Sequence, residues 1–169
     1  MKLIKNTLFL LIMSFFITDI LPAQSVDAYI EGIYPELDGL YKHLHQNPEL
    51  SLQEKETSAR IAKELKAIGY EVTEYVGGYG VVGVFKNGPG PVLLIRSDMD
   101  ALPMEEKTGL PYASVKKGIS NDGKDTFIAH SCGHEIHMTE FIGTPNKMME
   151  YKNSWRGTLL MVGQPSEEN

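Results

Sequence analysis

Residues 130–137, which read His-Ser-Cys-Gly-His-Glu-Ile-His, combine the chain's only cysteine with three of its five histidines. Thiolate and imidazole are preferred ligands of Zn²⁺ and similar divalent ions. Cys132 and His134 flank Gly133, and a glycine allows a tight turn that aims both side chains at one ion. The pattern favours a metal site over a chance cluster. A Cys–His nucleophile pair is a second hypothesis, although nothing nearby marks an oxyanion hole.

A second polar segment, Arg-Ser-Asp-Met-Asp-Ala-Leu-Pro over residues 96–103, follows an apolar run. Asp98 and Asp100 are two positions apart, so in an extended chain both point to the same side. At the carboxyl end of a strand, that side can face a ligand crevice. A solvated loop is the alternative interpretation.

The third polar segment is Gly-Gln-Pro-Ser-Glu-Glu over residues 163–168, directly after the apolar run 158–162. In a hydrolytic metal site, one of two adjacent carboxylates can bind the metal while the other takes a proton from the attacking water. Glu167 and Glu168 are therefore candidates for these two roles. An exposed acidic terminus is the alternative.

Two helices are predicted ahead of these segments. Residues 26–45 carry apolar side chains close to helical spacing, and Pro35 is expected to kink or restart that helix. Ser51 and Glu54 form a capping-box pattern, which predicts the start of a second helix. Gly69 is predicted to end it.

Strands are predicted at four apolar or alternating runs: residues 70–76, 81–85, 92–95 and 158–162. The second and third runs are separated by Asn-Gly-Pro-Gly. They are therefore predicted to form a hairpin or meander that leads into a buried central strand. Helices and strands in this order indicate an α/β fold.

Residues 1–23 are typical of a secretory signal peptide rather than of a folded domain. Lys2 and Lys5 supply a positive start, residues 8–17 are mostly apolar, and Ala23 offers a small-residue cleavage site. A membrane anchor is the alternative, but the apolar run is shorter than the ~20 residues that span a bilayer. We therefore expect a secreted or periplasmic protein with no stable membrane anchor. A net charge of −6 argues against a nucleic-acid partner.

In their order and rough spacing, the three polar segments resemble the metal-dependent amidohydrolases. This family includes bacterial N-acyl-amino-acid amidohydrolases, hippurate hydrolases and plant auxin-conjugate hydrolases, within the zinc-exopeptidase superfamily. Residues 43–51, His-Leu-His-Gln-Asn-Pro-Glu-Leu-Ser, also resemble the N-terminal helix and turn of the family. The resemblance covers roughly residues 41–168. It implies a three-layer α/β/α catalytic domain that is interrupted by a smaller lid or dimerisation domain.

The resemblance also implies roles for individual residues. Cys132, His134 and Glu168 match metal ligands of the family. Glu167 matches the general base that activates the water, and Asp100 matches an acidic residue that orients the site. The implied cofactor is a pair of divalent ions, which are zinc, manganese, cobalt or nickel in different members. The implied substrate is an N-acyl amino acid or small peptide whose amide bond is hydrolysed, and full-length members are often homo-oligomers.

The sequence departs from the family pattern at three positions. Glu135 stands where Asp is usual, so any supporting role there should be displaced, and Ser166 stands where Ala is common. Pro145 falls inside the helix expected after the metal segment, which should therefore be kinked or split.

Family members are longer, and their further histidine ligands and lid domain lie beyond the position of Glu168. We therefore expect residues 24–169 to be the N-terminal part of the catalytic domain of such a hydrolase, an incomplete domain with little or no activity alone. A non-catalytic remnant with at most weak metal binding is the alternative.

Overall fold

The computed structural model describes residues 26–169, and residues 33–169 form one compact unit that contains every predicted site residue. The predicted signal peptide lies outside the described residues. No helix in the described part is long and apolar enough to cross a membrane. The elements, in chain order, are α1 (Val26–Gln46), α2 (Lys55–Ile68), β1 (Glu71–Val76), β2 (Gly80–Asn87), β3 (Val92–Asp98), β4 (Lys117–Ile119), β5 (Asp125–Phe127), α3 (His134–Glu150) and β6 (Gly157–Gln164).

The main sheet is mixed and has the strand order β1-β2-β6-β3. β2 pairs antiparallel with β1 and β6, whereas β3 and β6 are parallel. The predicted hairpin between the second and third apolar runs is therefore wrong, because β6 lies between them. Parallel pairing requires a crossover, and α3 lies in the connection from β3 to β6. Among the described residues β6 is central and β3 lies at an edge, where Val92 is 66% exposed.

Helices α2 and α3 pack on one face of this sheet. The core on that face includes Ile61 and Leu65 of α2, Phe141 of α3, and Leu159 and Met161 of β6. The opposite face carries partly or fully exposed apolar side chains, which are Val82, Val84, Val92, Leu94, Leu160 and Val162. The described residues thus supply a sheet and one helix layer. The expected α/β class is confirmed, and an apolar second face is what a further helix layer would cover.

The start of α2 differs from the predicted capping box. The helix begins at Lys55, and Glu54 makes no side-chain capping hydrogen bond. The carboxylate of Glu49 accepts instead from the backbone N–H groups of Glu56 and Thr57, at 3.2 and 2.7 Å. At the other end the prediction is confirmed, since Gly69 adopts a left-handed φ of +105°.

Neither internal proline divides its helix. α1 continues through Pro35, and α3 continues through Pro145, so the predicted restart and split are wrong. Pro145 is buried and lies three turns beyond His134, so any local distortion is remote from the metal segment.

A short hairpin of β4 and β5 is absent from the sequence predictions. Residues 121–123, Asn-Asp-Gly, lie in its turn, where Gly123 has φ +82°. An Asp-Gly pair is a strong hairpin signal, so the sequence did contain the indication.

Candidate metal centre

The parallel pairing of β3 and β6 brings two of the polar segments together. Asp98, the last residue of β3, lies opposite Gln164 of β6. Both strands therefore end at the same edge of the sheet, where ligand crevices of α/β domains form. Asp100 and the Glu167–Glu168 pair follow directly after these ends.

The third segment reaches the same edge through the start of α3. Gly133 has φ +82°, a left-handed conformation that a glycine adopts readily, and His134 is the first residue of the helix. One ligand atom each from Cys132, His134 and Glu168 lie within 4.8 Å of one another. The tight turn predicted from the sequence therefore brings both side chains to one point. Their roles as metal ligands stay predictions.

The orientation of the His134 ring is fixed by a backbone carbonyl. Its Nδ1 lies 2.8 Å from the carbonyl oxygen of Asp100. Because a carbonyl can only accept, Nδ1 donates this hydrogen bond, and Nε2 is the ring nitrogen left to face a metal. This is how the second nitrogen of a metal-binding histidine is usually held.

Three carboxylates surround Nε2 of His134, the ring nitrogen that does not contact the Asp100 carbonyl. Nε2 lies 3.6 Å from Asp98, 3.7 Å from Glu167 and 3.7 Å from Glu168. Asp98, His134 and Glu167 form a second group of ligand atoms within 4.8 Å.

The donor set fits a divalent cation. Thiolate, imidazole and carboxylate are the ligands that zinc prefers. Carboxylates this close repel one another unless a positive charge compensates them. The only Lys or Arg ion pair to these carboxylates among the described residues is Arg96 with Asp98, at 3.6 Å. The buried Oδ1 of Asp100 has no hydrogen-bond partner in the structure, and it lies 3.4 Å from His134 Nδ1.

The protonation of Cys132 argues against the alternative of a cysteine nucleophile. A hydrogen bond with Glu168, burial and the surrounding carboxylates raise the pKa of the Cys132 thiol to about 11. Nucleophilic cysteines have a lowered pKa because positive charge lies beside them. A bound cation would reverse the effect, since metals bind the thiolate.

Asp100 connects the parts of the site, as an orienting residue would. Its Oδ2 accepts from the Ser51 hydroxyl at 2.5 Å and from the Glu168 backbone N–H at 2.9 Å. Burial raises the pKa of this carboxyl, but these hydrogen bonds outweigh burial and hold the pKa below its usual range. Asp100 is therefore ionised at neutral pH and links His134 to Glu168.

Asp98 lies in the family motif, but the resemblance implied no role for it. Besides its contact with His134, its Oδ1 lies 2.8 Å from Nδ1 of His137. The His137 ring stacks on that of His134, with centroids 6.1 Å apart. The signal in the sequence was that Asp98 lies two positions from Asp100, which predicts that both side chains face the crevice.

A buried network lies behind the metal segment. His45 lies between two carboxylates: its Nε2 is 3.0 Å from Glu106 and its Nδ1 is 3.0 Å from Glu135. All three side chains are buried. The Glu135 carboxylate also lies 3.8 Å from His130. The Glu135 side chain reaches His45 and thereby ties α3 to α1. The expected displacement of this residue relative to a shorter Asp stays a prediction.

His130 should make the metal-free protein sensitive to acid. Burial lowers the pKa of His130 to about 4, against the opposing effect of Glu135. An unfolded histidine binds a proton near pH 6.5, so the folded state loses stability as pH falls from there towards 4. We expect the free energy of unfolding, measured by urea titration with chelator present, to fall by about 1.5 kcal/mol between pH 6.5 and 5.

His45 adds no slope in this pH window. Burial lowers its pKa, but the hydrogen bonds to Glu106 and Glu135 raise it above its ordinary value. Its contribution is fully present below pH 6.5 and is lost as pH rises from there through its own raised pKa. His130→Gln should therefore flatten the curve, whereas His43→Gln, on the exposed face of α1, should retain most of the slope. An equal slope in parent and His130→Gln would contradict this assignment.

A mixed sheet with a cluster of thiol, imidazole and carboxylate groups at its carboxyl edge is an arrangement that suits a metal-dependent hydrolase. Residues 94–169 match the peptidase family M20/M25/M40. The resemblance to the metal-dependent amidohydrolases is thereby confirmed, and the chain is related to hydrolases of this family.

Individual relatives agree with this relationship. The chain is 38% identical over 149 residues to N-acetyl-L-cysteine deacetylase of Bacillus subtilis (strain 168), covering 88% of this chain and 34% of that protein. It is 39% identical over 134 residues to hippurate hydrolase of Campylobacter jejuni, covering 79% and 32%. It also matches the crystal structure of Bacillus subtilis YXEP, a dinuclear metal-binding peptidase from the M20 family, with TM-score 0.72, 34% identity and coverage of 82% and 36%. The chain thus spans about a third of the length of the relatives it matches.

Proposed function

We propose that this chain forms the first part of the active site of an enzyme that hydrolyses the amide bond of N-acyl amino acids or small peptides. The observation that carries the proposal is the convergence of Cys132, His134 and Glu168 beside Glu167. The names of the relatives, a deacetylase and a hippurate hydrolase, support this substrate class.

Cys132, His134 and Glu168 would hold a divalent ion, for which we propose zinc, manganese, cobalt or nickel. Such an ion, when bound, polarises the amide carbonyl and stabilises the oxyanion that develops on it. The two ligand groups share His134, whose Nε2 has one lone pair because Nδ1 donates to Asp100. Through that nitrogen the described residues can therefore hold one ion at a time. A second ion, as implied by the family, would need ligands besides these.

We assign to Glu167 the role of the base that takes the proton of the attacking water. Its side chain is 40% exposed, whereas those of Glu168 and Asp98 are 21% and 9% exposed. It is therefore the carboxylate at the centre that water and substrate reach most easily. A carboxylate in this position can accept the proton of the water and pass it to the leaving amine. Asp100 would keep His134 and Glu168 in place through its hydrogen bonds.

We also propose that the protein is secreted or periplasmic. This rests on the charged start, apolar run and small-residue site of residues 1–23.

A chimera tests the proposed activity. Residues 24–168 would be joined to the part of the Bacillus subtilis deacetylase that follows its matched region, and the fusion would be assayed with a panel of N-acetyl and N-benzoyl amino acids. We expect release of the amino acid that a chelator abolishes and divalent ions restore. The unfused chain should bind metal but hydrolyse at the background rate. A chimera that binds metal yet cleaves none of these amides would overturn the proposal.

A further inference from the structure

Glu54 is a buried carboxylate whose contacts reach across the fold. Its side chain is fully buried, and its Oε1 accepts from the backbone N–H of Ser166 at 2.7 Å and from the Ser166 hydroxyl at 3.1 Å. The same hydroxyl accepts from the backbone N–H of Leu52 at 2.8 Å. Ser166, which directly precedes the Glu167–Glu168 pair, is thus tied to the turn ahead of α2.

A second connection joins the same two segments. The Ser51 hydroxyl donates to Asp100, whose carboxylate accepts from the backbone N–H of Glu168. Residues 51–54 therefore hold residues 166–168 on both sides of Glu167. We call this set of contacts the clamp.

Ser166 needs such contacts to keep its conformation. Its φ is +57°, a left-handed value that non-glycine residues rarely adopt. Strained backbone of this kind persists only where surrounding interactions fix it. The strained residue directly precedes Glu167, so its conformation sets the direction in which that carboxylate points.

Stability alone is a poor explanation for Glu54. Its second oxygen, Oε2, is buried and has no hydrogen-bond partner in the structure. Burial of a carboxylate that is not fully satisfied is costly, and an apolar side chain would avoid that cost. Glu54 also fails to cap α2, the role its spacing from Ser51 predicts.

We propose that Glu54 and Ser166 are positioning residues, which hold Glu167 and Glu168 towards the metal centre. The inference rests on the proposed function, because it assigns these two residues to the same site. It predicts that loss of the clamp weakens metal binding through Glu168 while the Cys132 and His134 ligands stay in place.

Cobalt titration of the full chain tests the clamp. Glu54→Leu removes both hydrogen bonds to Ser166, Glu54→Gln retains an acceptor oxygen, and Ser166→Ala removes the bridging hydroxyl. We expect Glu54→Leu to lower Co²⁺ affinity by roughly 10–100-fold, as loss of a supporting residue does at other metal sites. Ser166→Ala should have a smaller effect, and Glu54→Gln should partly rescue the loss. Glu56→Gln is the matched control, because Glu56 is an exposed carboxylate two positions away, in the first turn of α2.

The spectrum separates positioning from general damage. The cobalt–thiolate charge-transfer band should remain in Glu54→Leu, because Cys132 still binds, whereas the ligand-field bands should change as Glu168 leaves. If Glu54→Leu does not fold, Ser166→Ala and Glu54→Gln carry the same comparison. Parent-like affinity and spectrum in all folded clamp variants would overturn the proposal.

Amide hydrogen exchange distinguishes failure of the clamp from failure of the proposed function. In the metal-free protein, the clamp variants should exchange faster in residues 166–169 and at the parent rate in the core strand β6. If the parent binds no cobalt, the proposed function fails, and exchange still decides whether the clamp exists. Unchanged exchange in residues 166–169 would refute the clamp.

Discussion

Replacement of Glu167 by Gln is expected to lower hydrolysis by the chimera by roughly 10²–10⁴-fold, the usual contribution of a general base. Gln has the size and shape of Glu but cannot accept a proton at neutral pH. The Glu167 carboxylate lies 3.7 Å from His134 Nε2, at the exposed side of the centre. Metal content should stay near that of the parent, because Cys132, His134 and Glu168 remain.

Glu105→Gln is the matched control for this experiment. Glu105 is an exposed carboxylate that pairs with Lys107 at 3.4 Å, away from the cluster, so its replacement should change neither rate nor metal content. Two results for Glu167→Gln would contradict the assigned role. One is an unchanged rate, and the other is a loss of rate that follows the loss of metal in parallel.

Replacement of His134 by Asn is expected to weaken metal binding at least about a hundredfold. His134 is the one residue common to both ligand groups. Structural zinc sites with four ligands bind with ~10–16 kcal/mol, or roughly 3 kcal/mol for each ligand, which corresponds to a factor of about a hundred or more. Isothermal titration of the full chain with Zn²⁺ measures the change.

His43→Asn controls for the loss of an imidazole. His43 lies on the exposed face of α1, so this variant should bind zinc as the parent does. Equal zinc affinity of the parent and His134→Asn would show that His134 is not a ligand. Neither proposed ligand group would then be correct, because both include His134.

Local patterns predicted the elements of the fold but not their arrangement. The apolar runs located the strands of the main sheet because side-chain periodicity is a local property. The insertion of β6 between β2 and β3 depends on pairing between residues far apart in the chain, such as Asp98 and Gln164. The predicted hairpin failed for that reason.

The capping box shows how distant partners override a local motif. Ser51 and Glu54 have the correct spacing, yet their side chains bind Asp100 and Ser166, which are 49 and 112 positions away. Glu49 caps the helix in their place. A motif within four residues gives no indication of such competition.

The sequence predicted the residue types of the candidate site better than it predicted their geometry. Cys132, His134 and Glu168 are unusual enough as a set to indicate a metal, and the structure brings them together. The orientation of His134 depends on a backbone carbonyl, which has no sequence signature. The pairing of His45 with Glu135 across 90 positions is likewise visible only in three dimensions.

The most direct test of the metal centre is anomalous diffraction at the zinc edge from crystals of the full chain grown with Zn²⁺. We expect a zinc peak bonded to Sγ of Cys132 at about 2.3 Å, to Nε2 of His134 at about 2.0–2.1 Å and to a carboxylate oxygen of Glu168. Glu167 should lie beside the ion without replacing any of these ligands. Zinc bound elsewhere, with Cys132, His134 and Glu168 free of it, would contradict the assignment of these residues as the metal centre.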